Sequence, residues 1–335
     1  GNDSYFYVRG DGNDTISESW IGGSADKLVL FDIDPADVAL VRDGNHVTLV
    51  IAESAPGAGD SGSILLTSNL QEDAEQGIEK IEFDDGTIWT RNDLRVKLLA
   101  EMSTSGNDTI TGFNVADIIT GGAGDDTLNG GYENDTYNYS RGDGHDTINE
   151  GWSSGSADKL VFSNINPNNV TLTRSGNDIT IVIGESAPGA GDGGTVFLPD
   201  ALDKYYNTGI EQVVFADGTF WTRADLRGML LAQAATSGND TISGFDAADT
   251  LSGGAGDDIL LGGGGNDTYT YSRGDGHDSI TESEAADTAD KLIFSDINPS
   301  DVTLVRSGES VTLVIGESTP GAGDAGSALL TSNLH

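Results

Sequence analysis

The sequence predicts an all-β chain in which elongated parallel β-roll or β-solenoid blocks alternate with small β modules, each carrying a short capping helix. Three observations predict it. A nine-residue unit, Gly-Gly-x-Gly-x-Asp-x-apolar-x, recurs in tandem, and Gly121-Gly122-Ala123-Gly124-Asp125-Asp126-Thr127-Leu128-Asn129 fits it at every fixed position. The tandem clusters themselves recur: Asn2-Asp3, Asn134-Asp135 and Asn266-Asp267 open matching stretches, with spacings 134 − 2 = 132 and 266 − 134 = 132. Between clusters, short runs alternate apolar and polar residues, the pattern of half-buried strands.

The first complete cluster reads Ser103–Thr111, Gly112–Thr120, Gly121–Asn129 and Gly130–Asn138, then two extra residues, Tyr139-Ser140, then Arg141–Asn149. Its sixth positions are Asp108, Asp117, Asp126, Asp135 and Asp146, and its eighth positions Ile110, Ile119, Leu128, Tyr137 and Ile148. The second cluster repeats the acidic series as Asp240, Asp249, Asp258, Asp267 and Asp278, while a truncated cluster at the start keeps Asp3 and Asp14. Ala25-Asp26-Lys27-Leu28 returns at Ala157 and Ala289, and Pro56-Gly57-Ala58-Gly59-Asp60 at Pro188 and Pro320, without a single insertion. A period with no length drift suggests copies stacked in a regular geometry. The organisation is therefore 1–17 truncated nonapeptide block, 18–102 β module, 103–149 block, 150–234 β module, 235–281 block and 282–335 truncated β module. The chain opens and closes inside repeat units, as a segment of a longer parent would.

Composition narrows the partners. Lys and Arg number 16 against 55 Asp and Glu, for a formal net charge of −39. Phosphates would be repelled, which argues against nucleic acid and against a bare anionic membrane surface. A compact chain this acidic needs bound counter-charge. With no cysteine to form disulfides, metal is the available staple. No apolar run is long enough for a transmembrane segment.

Glycine, aspartate and an apolar residue at this spacing have a joint explanation. Calcium takes six to eight oxygen ligands at about 2.3–2.6 Å, more than one nonapeptide supplies. Glycine permits turn conformations closed to residues with a Cβ, and the apolar residue enters a narrow core. The array resembles the RTX (haemolysin-type) calcium-binding repeats. The resemblance implies that two nonapeptides make one coil and that turns n and n+2 stack with an ion between them. Ligands would be the Asp carboxylates with carbonyls of the glycine-rich turns, Gly106, Gly122, Gly124, Gly144, Gly238, Gly254, Gly256, Gly263, Gly265 and Gly276. The pairs it implies are Asp108 with Asp126, Asp126 with Asp146 and Asp117 with Asp135. In the second block they are Asp240 with Asp258, Asp258 with Asp278 and Asp249 with Asp267. Asp117 and its turn are expected to be poorer, because Phe113 and Val115 replace glycines; Glu133 stands where the second copy keeps Gly265. Asp3 and Asp14 lack upstream partners and are expected to be half-sites.

The intervening segments predict hairpins at Val38–Arg42 with Val47–Ile51, Val170–Arg174 with Ile179–Ile183, and Val302–Arg306 with Val311–Ile315. A shorter pair, Ile81–Phe83 with Ile88-Trp89 across Asp84-Asp85-Gly86, has its copy at Val213–Phe215 and Phe220-Trp221. Thr90 to Asp93 and Thr222 to Asp225 have capping-box spacing, and Leu94, Leu98, Leu99 and Leu226, Leu230, Leu231 mark the apolar stripes of the helices that follow. These segments resemble the haemolysin-type calcium-binding-related domain. The acidic loops 53–60, 185–192 and 317–324 could hold further calcium or be solvated, and solvation is the simpler reading.

Arg-Gly-Asp at Arg9, Arg141 and Arg273 sits at one phase of the repeat and reads as turn chemistry. His46, His145, His277 and His335 join no recurring Ser/His/Asp set, so no catalytic role is expected. The resemblance implies a calcium-rigidified structural rod of a large secreted or cell-surface protein of a Gram-negative bacterium, exported by type I secretion: an adhesin, biofilm or extracellular fibre component. Its partners would be calcium, neighbouring repeats of the parent, and other copies in a fibre or cell-surface glycans. The alternatives are a calcium-dependent folding and secretion module of an exported toxin or hydrolase, or a glycan-binding module. Ice binding by a row of Thr109, Thr127 and Thr147 is disfavoured by the row's shortness.

Overall fold

The computed structural model describes residues 1–18, 25–71, 77–150, 157–203, 209–282 and 289–331; His335 lies outside them. Its regular elements are mostly short strands, with two α-helices, α1 (Arg91–Met102) and α2 (Arg223–Ala234), among the described residues. It divides into two compact units. One comprises Gly1–Val170, Val182–Phe197 and Val214–Gly218, the other Thr171–Ile181, Leu198–Val213 and Thr219–His335.

In the first unit, alternate nonapeptides fall into alternate sheets. Thr127–Asn129 pairs in parallel with Thr109–Thr111 on one side and His145–Asn149 on the other, bringing Leu128 opposite Ile110 and Ile148. Ile118–Thr120 pairs likewise with Thr136–Tyr139, Ile119 opposite Tyr137. The eighth-position side chains Ile110, Ile119, Leu128, Tyr137 and Ile148 are all buried. This is a parallel β-roll, whose rung spacing is that of any sheet, about 4.8 Å.

The sheets do not stop at the end of the nonapeptide cluster. Lys159–Phe162 adds in parallel to Thr136–Tyr139 with Leu160 opposite Tyr137. The strand Gly194–Leu198 adds to His145–Asn149 with Val196 opposite Asp146. The module therefore begins as further rungs of the roll. The truncated block behaves alike: Lys27–Phe31 stacks on Ser4–Val8, and Gly62–Leu66 on Asn13–Ile16. The predicted hairpin follows, with Val38–Asp43 antiparallel to His46–Ile51. The shorter pair forms too, Ile81 opposite Trp89.

The second unit repeats the design. Thr241–Ser243, Ile259–Leu261, His277–Thr281 and Gly326–Leu330 form one parallel run, extended by the antiparallel strands Ser310–Ile315 and Val302–Ser307. Thr250–Leu251, Thr268–Tyr271 and Lys291–Phe294 form the other.

Both helices start as their capping boxes require. The Thr90 and Thr222 side chains accept from the Asp93 and Asp225 amides, and those carboxylates accept in return from the threonine amides. The leucines of both stripes are buried. The threonine row is in register, Thr109 and Thr147 flanking Thr127, but the next rung carries Phe197 and the second block places Ile259 between Thr241 and Ser279.

Candidate metal centre

Stacking parallel rungs in register forces the sixth-position aspartates into columns. One column of the first complete block runs Asp108, Asp126, Asp146. The Asp108 amide donates to Asp126 Oδ1 at 2.8 Å and the Asp126 amide to Asp146 Oδ1 at 3.1 Å. The other begins with the Asp117 amide donating to Asp135 Oδ1 at 2.8 Å. The second block reproduces both: Asp240 to Asp258 at 2.8 Å, Asp258 to Asp278 at 3.1 Å, Asp249 to Asp267 at 2.9 Å. Every pair implied by the repeats is thus brought together.

After the first of each column, every carboxylate is held by one oxygen through the amide of the preceding rung's aspartate. The other oxygen is the informative one. Oδ2 of Asp126, Asp135, Asp258 and Asp267 is buried with no hydrogen-bond partner. A buried carboxylate oxygen without a partner is costly, and a cation is the natural remedy. Burial, and next to it the charges of neighbouring carboxylates, pushes Asp135, Asp146, Asp267 and Asp278 up to about 7. Asp126 is raised for the same reason. The glycine turns of neighbouring rungs pack closely on one another. Gly124 and Gly256 adopt φ of +139° and +137°, and a Cβ on either would lie 2.5 Å from the carbonyl oxygen of Gly106 or Gly238 in the turn below. The donor set is oxygen throughout, carboxylate and carbonyl, which suits a hard ion such as calcium.

The second column continues past the nonapeptides. The Asp135 amide donates to Asp158 Oδ1 at 2.7 Å, and the Asp267 amide to Asp290 Oδ1 at 2.9 Å. At the start of the chain the Asp3 amide donates to Asp26 Oδ1 at 2.5 Å. Asp3 is therefore not a half-site: its partner lies downstream, in a rung the sequence reading treated as module. Asp14 lies opposite Ile64 and gains no carboxylate there. A glutamate joins each junction, giving Asp3–Glu18–Asp26, Asp135–Glu150–Asp158 and Asp267–Glu282–Asp290, whose nearest carboxylate oxygens lie within 4.8 Å of one another.

The leading turn of the second column is different. Phe113 and Phe245 replace glycine there, and an arginine from the preceding module lies over each ring. Arg42 Cζ is 3.9 Å from the Phe113 centroid and Arg174 Cζ is 3.7 Å from that of Phe245. Arg42 donates to the Thr111 and Gly112 carbonyls at 2.5 and 2.9 Å, and Arg174 to those of Ser243 and Gly244 at 2.7 and 3.2 Å. Burial raises Asp117 and Asp249, and neighbouring guanidinium groups oppose it: Arg95 and Arg42 for the first, Arg227 and Arg174 for the second. Arg227 Nε stands 4.0 Å from Asp249 Oδ1. Glu133 holds φ +70° where Gly265 has +109°, so both copies make the same turn.

The acidic loops use their carboxylates internally. Glu53 accepts from the Gly57 and Gly59 amides and Asp60 from the Ser54 amide, with the same bonds at Glu185, Asp192, Glu317 and Asp324. The Arg-Gly-Asp segments are turns, as when Ser140 donates to Asp143 Oδ2 and Arg141 reaches the Gly184 carbonyl.

Fold and site together define a calcium-binding parallel β-roll. The model of the RTX calcium-binding nonapeptide repeat matches residues 111–148 and 235–269. That of the haemolysin-type calcium binding protein related domain matches 58–93 and 192–225. The chain thus carries RTX calcium-binding nonapeptide repeats, with haemolysin-type calcium-binding-related domains between its blocks, and Ca2+ is the ion these repeats bind. A search of the curated proteins found no match. Among solved structures, the extracellular lipase LipA from Serratia marcescens is similar at 20% identity, over 68% of this chain and 36% of that one, with a TM-score of 0.22. A superposition that poor transfers neither fold nor activity. Among the described residues no helix is long and apolar enough to cross a membrane.

Proposed function

We propose that the chain is a segment of a large secreted or cell-surface protein of a Gram-negative bacterium and serves it as a calcium-stiffened structural rod, in an adhesin, a biofilm or an extracellular fibre. The observation that carries the reading is the fastening of each module to the roll that follows it. Arg42 grips the turn at Thr111 and Gly112, and Arg174 grips the equivalent turn at Ser243 and Gly244, in contacts offset by 174 − 42 = 132 residues. The same module-to-block contact in each copy supports a regular array over a flexible tether. Calcium then acts as the folding switch: ions that bind only the folded chain stabilise it by mass action. The chain carries no catalytic role in this reading.

Calcium titration followed by circular dichroism and small-angle scattering tests the proposal. The chain should gain β signal cooperatively at high-micromolar to millimolar calcium but not with magnesium, and its scattering should become that of a stiff particle of constant cross-section. An ordered β spectrum in EGTA, or a calcium form that scatters as a flexible string, would overturn it.

A further inference from the structure

We propose that each repeat carries one additional divalent-cation site at the seam between nonapeptide block and module, formed by Asp3, Glu18 and Asp26, by Asp135, Glu150 and Asp158, and by Asp267, Glu282 and Asp290, and that these seams take calcium ahead of the roll's own sites. The inference rests on the calcium reading above and adds to it a distinct ligand set and an order of filling.

The three residues come from three segments. Asp135 is the last sixth-position aspartate of its column. Glu150 follows two residues after the eighth-position Ile148. Asp158 immediately precedes the first module strand, Lys159–Phe162. Stacking of Lys159–Phe162 on Thr136–Tyr139 brings Asp158 beneath Asp135, and the three carboxylates approach within 4.8 Å. Proximity of acids alone would not make a site. The second observation is that Asp135 and Asp267 are fully buried, with 0% exposure, and Oδ2 of each has no hydrogen-bond partner. These oxygens point into the seam. A Cβ built on Gly262 would lie 2.6 Å from Asp267 Oδ2 and 2.7 Å from Glu282 Oε2, so the two oxygens converge on a place where no side chain fits. The glutamates are aimed by phenols: Tyr5, Tyr137 and Tyr269 donate to one oxygen of Glu18, Glu150 and Glu282. The three-carboxylate cluster and its tyrosine bond occur three times, and the buried, unpartnered aspartate oxygen occurs in the two seams that follow a complete block.

The charge count sets the order of filling. A site between two rungs of the roll has two carboxylates with carbonyls, whereas the seam has three carboxylates. More formal negative charge on a preorganised oxygen set raises calcium affinity. The first ions bound would therefore fix the module strand to the last rung of the block, and the remaining rungs would fill against that seam.

The test uses the whole chain with Glu18→Gln, Glu150→Gln and Glu282→Gln combined. Glutamine keeps an acceptor for the tyrosine and removes one charge from each seam. Equilibrium dialysis with radioactive calcium should resolve a tight class of three ions from a weaker, larger class in the parent. In the variant the tight class should weaken by about tenfold or more while the weaker class keeps its affinity. Superimposable isotherms would overturn the seam site and leave the calcium reading intact; a parent that binds no calcium would overturn both. If the variant fails to reach the parent's calcium-saturated spectrum, terbium luminescence decides with Tyr5→Phe, Tyr137→Phe and Tyr269→Phe combined, which retain every carboxylate. Loss of the tyrosine-sensitised emission of the first bound equivalents supports the proposal, and unchanged emission overturns it.

Discussion

The two aspartate columns of a single roll are built from the same nonapeptide yet end differently. The column Asp108, Asp126, Asp146 starts in solvent contact, where Asp108 is bonded by the Thr104 amide and hydroxyl, and it ends against Val196. The column Asp117, Asp135, Asp158 starts beneath the Arg42 and Arg95 guanidinium groups and ends in a cluster of three carboxylates. One column is a plain stack of ion sites closed by an apolar rung. The other is polarised, with protein cations at its head and surplus anions at its foot. Repeat identity therefore does not make sites equivalent: the module neighbouring each end decides whether a carboxylate is neutralised by arginine, by calcium or by both.

The largest effect is expected in the middle of the plain column. Asp126 accepts from the Asp108 amide through Oδ1, its own amide donates to Asp146, and its Oδ2 has no partner, so it borders two ion sites. Asp126→Ala with Asp258→Ala should raise the calcium midpoint for β formation by about tenfold or more and lower its cooperativity. Asp125 is exposed and its carboxylate merely accepts from the His145 amide, so Asp125→Ala with Asp257→Ala should move the midpoint by less than about twofold. Equal shifts in the two variants would mean that the columns do not hold the ions.

Protonation should act on both columns together. Asp135 in the polarised column and Asp146 in the plain one are both pushed up to about 7, as are Asp267 and Asp278. An unfolded chain titrates its aspartates near 3.9. Without metal, the folded form therefore binds protons more tightly than the unfolded form. The stability this contributes is fully present below about pH 4 and is lost as pH rises through about 7. Calcium reverses the trend, because the ion requires the carboxylates deprotonated and expels their protons on binding. The calcium midpoint for β formation, followed by circular dichroism, should therefore fall as pH is raised from about 5.5 to about 8, because fewer protons have to be expelled on binding. A midpoint independent of pH would show that these carboxylates are not the ones the ion engages.

Much of this was legible in the sequence because it is local. Period nine with an apolar residue two after each Asp dictates rungs, core and columns; Ile110 to Ile148 are buried as that pattern requires. The helices were legible from Thr90 to Asp93 and from Thr222 to Asp225, whose bonds span a single turn. The seam was half legible. Ala157-Asp158-Lys159-Leu160 preserves Asp-x-apolar, which marks it as another rung, but without glycines it looked like module, and its paired glutamate follows Ile148 outside the nonapeptide frame. The arginine caps were not legible at all. Arg42 meets Thr111 across 69 residues, and Phe113 looked like a damaged glycine position instead of the platform for a guanidinium. The acidic loops were misleading in composition alone, since Glu53 and Asp60 satisfy amides of their own loop.

Those arginines offer the smallest but most discriminating test of the contrast between columns. Arg42, Arg174 and Arg306 occupy one phase of the repeat, and each bonds the glycine carbonyl two residues on, at Gly44, Gly176 and Gly308. Arg42 and Arg174 also grip a following block, and the hairpin strands that carry them are covered: Leu40 is 6% exposed and Leu172 4%, against 69% for Leu304 beside Arg306. Two carbonyl hydrogen bonds and a cation–π contact are worth on the order of 1–3 kcal/mol together. Arg42→Ala and Arg174→Ala should each lower stability by about that amount in saturating calcium, read by thermal or urea unfolding, and Arg306→Ala by less than about 0.5 kcal/mol. Each of the first two also strips counter-charge from Asp117 or Asp249, so the loss should be larger in low salt, where the unrelieved repulsion within the polarised column is least screened. A salt-independent loss would leave the packing on Phe113 and Phe245 as their whole contribution, and equal losses in all three variants would show that the head of the column is not capped by the preceding module.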